Sequence, residues 1–221
     1  MKSNDSLFIL FVWIVMISCG ENSVADHEKS ATFHTDTLIL DVPREASGEI
    51  AFEYRTKDTL EKRVGLLDLS KGYDSIFIRL YYSYSFSNTS QLVEIFYDKK
   101  NQKWQSLIHY LLFEYSVNDT SLSNIKDSVV QSFPKSGWQA MMKRLNALDI
   151  INLKDSRNFK NYVLPMDGAG VTVQVATQNK YRMYSYVMPV LSKDIIPDAK
   201  KMVDILDLIE KELGFKQLGK M

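Results

Sequence analysis

Between Ser75 and Ser87 the residues alternate with a period of two, and that single pattern commits this stretch to an extended strand. Ile76, Ile78, Leu80, Tyr82, Tyr84 and Phe86 fall on one face, and Phe77, Arg79, Tyr81, Ser83 and Ser85 on the other. A helix, with its period of 3.6, would scatter both sets around its surface. Ser87-Asn88-Thr89-Ser90 then turns the chain into Gln91–Asp98, and Asp98-Lys99-Lys100-Asn101-Gln102 turns it again into Trp104–Ser116. Three strands joined by short polar turns form an antiparallel meander. Lys126 to Phe133 reads as a further strand.

Upstream, Thr37 to Val42 and Glu49 to Thr56 read as strands separated by Pro43 and Gly48. Downstream, Pro134-Lys135-Ser136-Gly137 breaks the strand pattern and offers Ser136 as a helix cap. Trp138, Met141, Met142, Leu145 and Leu148 follow at helical spacing. After an irregular connection from Asn152 to Gly170, Val171, Val173 and Val175 alternate with polar or small residues. Gln178-Asn179-Lys180 then turns into Tyr181–Met188, a second hairpin. Pro197 opens a last helix with a stripe of Ala199, Met202, Val203, Leu206, Ile209 and Leu213, which Gly214 closes. The expectation is an α+β domain over 37–221, with a mainly antiparallel sheet (meander plus C-terminal hairpin) and two helices packed on one face.

The first residues carry a different message. Lys2 precedes an apolar run from Leu7 to Ile17, and Ser18-Cys19 follows. Eleven apolar residues are too few to span a bilayer, which needs roughly 20. The order of charged start, apolar core and small residue is that of an export signal. Met16-Ile17-Ser18-Cys19-Gly20 resembles a lipobox, which implies removal of 1–18, a diacylglyceryl thioether on Cys19 and acylation of the new amine, usually with palmitate. Cys19 is the only cysteine of the chain, so no intrachain disulfide forms. Polar residues 19–36 read as a flexible tether, reaching roughly 20–25 Å by random-coil arithmetic. The expected partner is therefore a membrane, contacted through the lipid anchor, and the expected place is the cell envelope, on the periplasmic or surface side of the outer membrane.

Twenty-seven basic residues balance twenty-seven acidic ones, which argues against a nucleic-acid partner. No metal is expected: His27 and His34 lie in the tether, and His109 shares a strand face with Leu107, Leu111 and Phe113. No catalytic residue is assigned, because the chain lacks a Gly-x-Ser-x-Gly elbow, and Asp167-Gly168-Ala169-Gly170 leads into a strand and carries no Lys-Ser/Thr. No cofactor is expected either. The candidate ligand-binding residues are Arg79 and Tyr81 on one strand with Arg182, Tyr184 and Tyr186 on another. If the helices cover only the opposite face, these form an open platform on which rings stack and guanidinium forks to acceptors.

Pro134-Lys135-Ser136-Gly137-Trp138, the stretch Pro165-Met166-Asp167-Gly168 with Val171 to Tyr186, and the terminal helix resemble a set of uncharacterised lipoproteins from Bacteroidota. The resemblance covers about two thirds of the chain; it implies compartment and fold continuity and transfers no catalytic residue. Asp36-Thr37-Leu38, Asp58-Thr59-Leu60, Asp74-Ser75-Ile76 and Asp127-Ser128-Val129 are similar to the O-glycosylation acceptor of exported proteins in that phylum. That similarity makes Thr37, Thr59, Ser75 and Ser128 candidate sugar sites. The functional expectation is a non-catalytic envelope lipoprotein that binds a protein or glycan partner. The alternatives are a membrane-tethered hydrolase of envelope polymers and an immunity or inhibitor lipoprotein.

Overall fold

The computed structural model describes residues 38–45, 47–84, 87–116, 121–165 and 167–215. The expected signal segment 1–18, Cys19, the expected tether and Thr37 lie outside the described residues. The chain is α+β. In order it forms β1 (Ile39–Asp41), α1 (Phe52–Arg63), β2 (Ile76–Tyr84), β3 (Thr89–Asp98), β4 (Lys103–Tyr115), β5 (Leu122–Ser132), α2 (Trp138–Ala147), β6 (Ala169–Thr177), β7 (Lys180–Val187) and α3 (Pro197–Leu213). The strands make one sheet in the order β1-β7-β6-β2-β3-β4-β5. Every neighbour pair is antiparallel except β1 with β7.

Turn chemistry sets the register of the meander. Asp98 accepts from the Asn101 backbone N–H at 3.0 Å, and Gln102 takes φ 49°, so β3 folds onto β4 with Asp98 opposite Lys103. The even-numbered residues of β2 (Ile76, Ile78, Leu80, Tyr82, Tyr84) face α2 and α3, together with Val93, Ile95, Ile108, Val171, Val173 and Val175. Met141, Met142 and Leu145 of α2 and Ala199, Met202, Ile205 and Ile209 of α3 close over them. Truncating one such Leu, Ile or Met to Ala typically costs about 2–5 kcal/mol.

Four of the expectations need correcting here. Glu49–Thr56 is not a strand: only Ile50 bridges Arg44, and from Phe52 the chain is helical as α1. The described residues hold three helices, and α1 packs on the sheet face opposite α2 and α3, against Phe77, Phe96 and Met183. The sheet is thus covered on both faces at its centre. Ser136 is not the cap of α2; Gly137 takes that position at φ 82°, and the Ser136 N–H instead donates to Glu212 of α3 at 2.8 Å. Glu212 also pairs with Arg144 of α2 at 2.8 Å, which fastens the two helices to each other. The α3 stripe is rotated by a fraction of a turn, with Ile205 and Leu208 buried where Val203 and Leu206 were expected.

Candidate functional site

Phe77, Arg79 and Tyr81 point to the α1 side of the sheet, where the lining changes from apolar to charged. Arg79 is 0% exposed. Its cross-strand neighbours are Glu94 on β3 and Gln174 on β6, and Glu61 reaches it from α1. Nε donates to Glu94 Oε1 at 2.8 Å, Nη1 to Gln174 Oε1 at 3.1 Å and Nη2 to the Leu67 carbonyl at 3.0 Å. Nη1 also lies 3.3 Å from Glu61. Glu61 in turn accepts from Tyr81 at 3.1 Å and from the Gln174 amide at 2.5 Å. The planar guanidinium fork meets two carboxylates and an amide at once, which a lysine ammonium would not do.

The charge continues outward across the sheet. His109 on β4 lies 3.6 Å from Glu94, an ion-pair distance too long for a hydrogen bond, and its Nδ1 is 2.8 Å from Asp127 on β5. Burial alone would lower the His109 pKa. The hydrogen bond to Asp127 and the Glu94 carboxylate outweigh it and raise the imidazolium pKa to about 9. Burial likewise works against the Glu94 charge, yet Arg79 and His109 hold that carboxyl below its ordinary range. Gln174, Arg79, Glu94, His109 and Asp127 therefore form a polar row across five adjacent strands, one residue from each.

A second cluster lies where the chain leaves α2. Asp155, 6% exposed, accepts from the Tyr54 hydroxyl at 2.5 Å and from the Ser185 backbone N–H at 2.9 Å, and it pairs with Arg157 at 3.0 Å. The Ser185 hydroxyl lies 2.9 Å from the Tyr54 oxygen and, with the Tyr54 proton given to Asp155, donates to it. Burial and the adjacent Asp155 push the Tyr54 phenol well above its usual range.

The five platform candidates do not make a platform. Arg79 and Tyr81 face α1, whereas Arg182, Tyr184 and Tyr186 face the opposite side, in register with Val175, Val173 and Val171. All five are buried, Arg79, Tyr184 and Tyr186 completely. The polar ends of Arg182, Tyr184 and Tyr186 hold the connection after α2 onto β7. Arg182 donates to the Ile151 carbonyl at 2.5 Å and to that of Leu153 at 2.8 Å. Tyr184 donates to the Ile150 carbonyl and Tyr186 to that of Lys154, each at 2.5 Å. These are carbonyls that no strand or helix would otherwise satisfy.

Of the candidate sugar acceptors, Thr59 is exposed within α1, Ser75 is half-buried in the bend before β2, and Ser128 is exposed in the middle of β5. Among the described residues no three His, Cys, Asp or Glu side chains gather in a way that could hold a metal ion. None of their helices is long and apolar enough to cross a membrane.

Sequence reasoning missed the polar row, although its signal is present. Arg79 and Glu94 each interrupt an apolar strand face at mid-strand, and interior charges on adjacent strands need one another. No signal of that kind announces the Asp155 cluster, whose members are 101 and 30 residues apart. Compared with protein-family models and with curated proteins, the chain matches none.

Proposed function

We propose that this chain is a lipid-anchored envelope protein whose domain serves as a binding module, not a catalyst. The observation that carries the reading is the placement of the single cysteine, Cys19, directly after the apolar run Leu7–Ile17 and the small residue Ser18. One acyl chain gives only marginal attachment and two or three give a firm one, so a fully processed Cys19 holds the domain permanently at the bilayer. The domain's charged interior supports the binding half. Glu61, Glu94, Gln174 and the Leu67 carbonyl take up the Arg79 donors, leaving them nothing to offer a substrate.

With both sheet faces covered at the centre, the longer of the two sheet edges, β5, is the surface that remains open. β5 pairs only with β4, and Val129, Val130 and Phe133 stand exposed along it. An open edge of that length accepts an extended segment of a partner protein by main-chain pairing. A protein partner suits this surface better than a glycan.

Intact mass of protein extracted from the envelope tests the anchor: acylated Cys19 at the new N-terminus is expected, and a retained first eighteen residues or a bare thiol would sink the reading. The edge is tested by cross-linking in cells. Val129→Lys with Val130→Lys should abolish an adduct that the parent forms; an unchanged adduct would remove the edge from the proposal.

A further inference from the structure

A different surface of the fold is aliphatic where loops are ordinarily polar. Val163 and Leu164 precede β6, and Val190, Leu191 and Ile195 lie between β7 and α3. All five are exposed, Leu164 by 63% and Ile195 by 61%. The two loops are fastened together beneath these tips. The Val163 N–H donates to Ser192 Oγ at 3.0 Å and the Tyr162 hydroxyl to the Val187 carbonyl at 2.8 Å. Leu191, Ser192, Ile195 and Ile196 all donate their backbone N–H groups within the second loop. Gly168 is required at this junction. It takes φ 154°, and a Cβ there would stand 2.4 Å from the Met188 sulfur.

We infer that this paired-loop face rests in the headgroup region of the bilayer to which the chain is tethered. The inference builds on the lipid-anchor reading. Three observations favour a lipid surface over a protein. The tips are branched aliphatics without the Trp, Tyr or Arg that anchor protein interfaces. The backbone N–H groups of Val163, Leu191 and Ile195 are already bonded, so leaving water strands none of these three donors. Lys160 and Lys193 flank them and can extend their ammonium groups to phosphates. Asp167 and Asp194 lie there too, so the attraction comes chiefly from burial of apolar area, with net charge adding little.

Tether length permits the contact. β1 runs parallel to β7 with Ile39 opposite Lys180, so the described chain begins at the far end of β7, roughly 25 Å from the loops. Eighteen residues separate Cys19 from Leu38. Extended, they span up to roughly 60 Å, enough to bring anchor and loops to one plane.

The test uses the full acylated protein, its mass confirmed, in vesicles of phosphatidylethanolamine and phosphatidylglycerol. Leu164→Cys and, separately, Ile195→Cys carry an environment-sensitive fluorophore, with Lys99→Cys in the turn at the opposite end of the sheet as reference. The expected result is blue-shifted, several-fold brighter emission at 164 and 195 that nitroxide-bearing lipids quench, with position 99 unchanged. Emission at 164 and 195 matching that at 99 in acylated protein would overturn the loop contact and leave the anchor standing. A bare Cys19 thiol in the mass spectrum would defeat the anchor first, and the loop contact with it.

Discussion

Arg79 concentrates at one position the cost of a charged interior. Its burial is complete, and it stands between Glu61 and Glu94, which are themselves nearly sealed from solvent. Removing the cation leaves two carboxylates in a low-dielectric site, and breaking a buried pair in this way costs about 3–5 kcal/mol. Arg79→Met should therefore lower the unfolding free energy by that amount in urea titration. Adding Glu61→Leu and Glu94→Leu should recover most of the loss, since a well-packed apolar cluster needs no counter-charge. A single variant that loses under about 1 kcal/mol would show that water reaches the site. Tyr184 gives a milder case. Its hydroxyl satisfies the Ile150 carbonyl, and Tyr184→Phe leaves that acceptor unpaired at about 1–3 kcal/mol. A ligand-binding tyrosine on an open surface would have changed stability by less than about 0.5 kcal/mol.

At the level of elements, how legible the sequence was tracked how apolar the buried face of each segment is. β2, β3, β4, β6 and β7, together with α2 and α3, present apolar residues at period 2 or 3.6, and the expected and observed elements coincide within a few residues. α1 escapes because it lies over the charged row: among its described side chains the buried ones are Tyr54 and Glu61, preceded by Ala51, and a stripe containing a glutamate does not read as a core face. The same omission produced the platform error. Without α1, Arg79 and Tyr81 read as facing water, whereas a helix lies on each side of the central strands and leaves no solvated face there. Tyr184 and Tyr186 escaped for another reason, since their acceptors lie about 30 residues away in a connection without periodicity. The helix itself is testable at Thr59, which is exposed in mid-helix. Thr59→Pro should cost about 3 kcal/mol, because proline removes a ladder donor and clashes with the preceding turn, while Thr59→Ala should be neutral or slightly stabilising. Equal stability of the two variants would argue that this segment is not helical.

For the molecule as a whole, the polar row ties five strands to one another and so makes stability depend on pH in a defined direction. The folded-state pKa of His109 is raised from 6.5 to about 9. A group raised in this way contributes its full stabilisation below the unfolded value and loses it as pH climbs through the folded one. Stability should thus fall between about pH 6.5 and 9, by roughly 3 kcal/mol if the whole difference is expressed. Glu94 acts on the acid side. Its pKa is depressed, so its contribution is present above the ordinary glutamate range and disappears as pH falls through the folded value. The buried phenols of Tyr81, Tyr82, Tyr184 and Tyr186 are raised above 10, so their influence begins only beyond that pH and leaves the window from 6.5 to 9 to His109. Unfolding free energies measured across this window should slope downward in the parent and run flat in His109→Gln, which keeps a polar group but has no proton to release. Parallel slopes in the two proteins would mean that His109 titrates alike folded and unfolded, and that the Glu94 and Asp127 carboxylates do not hold its charge.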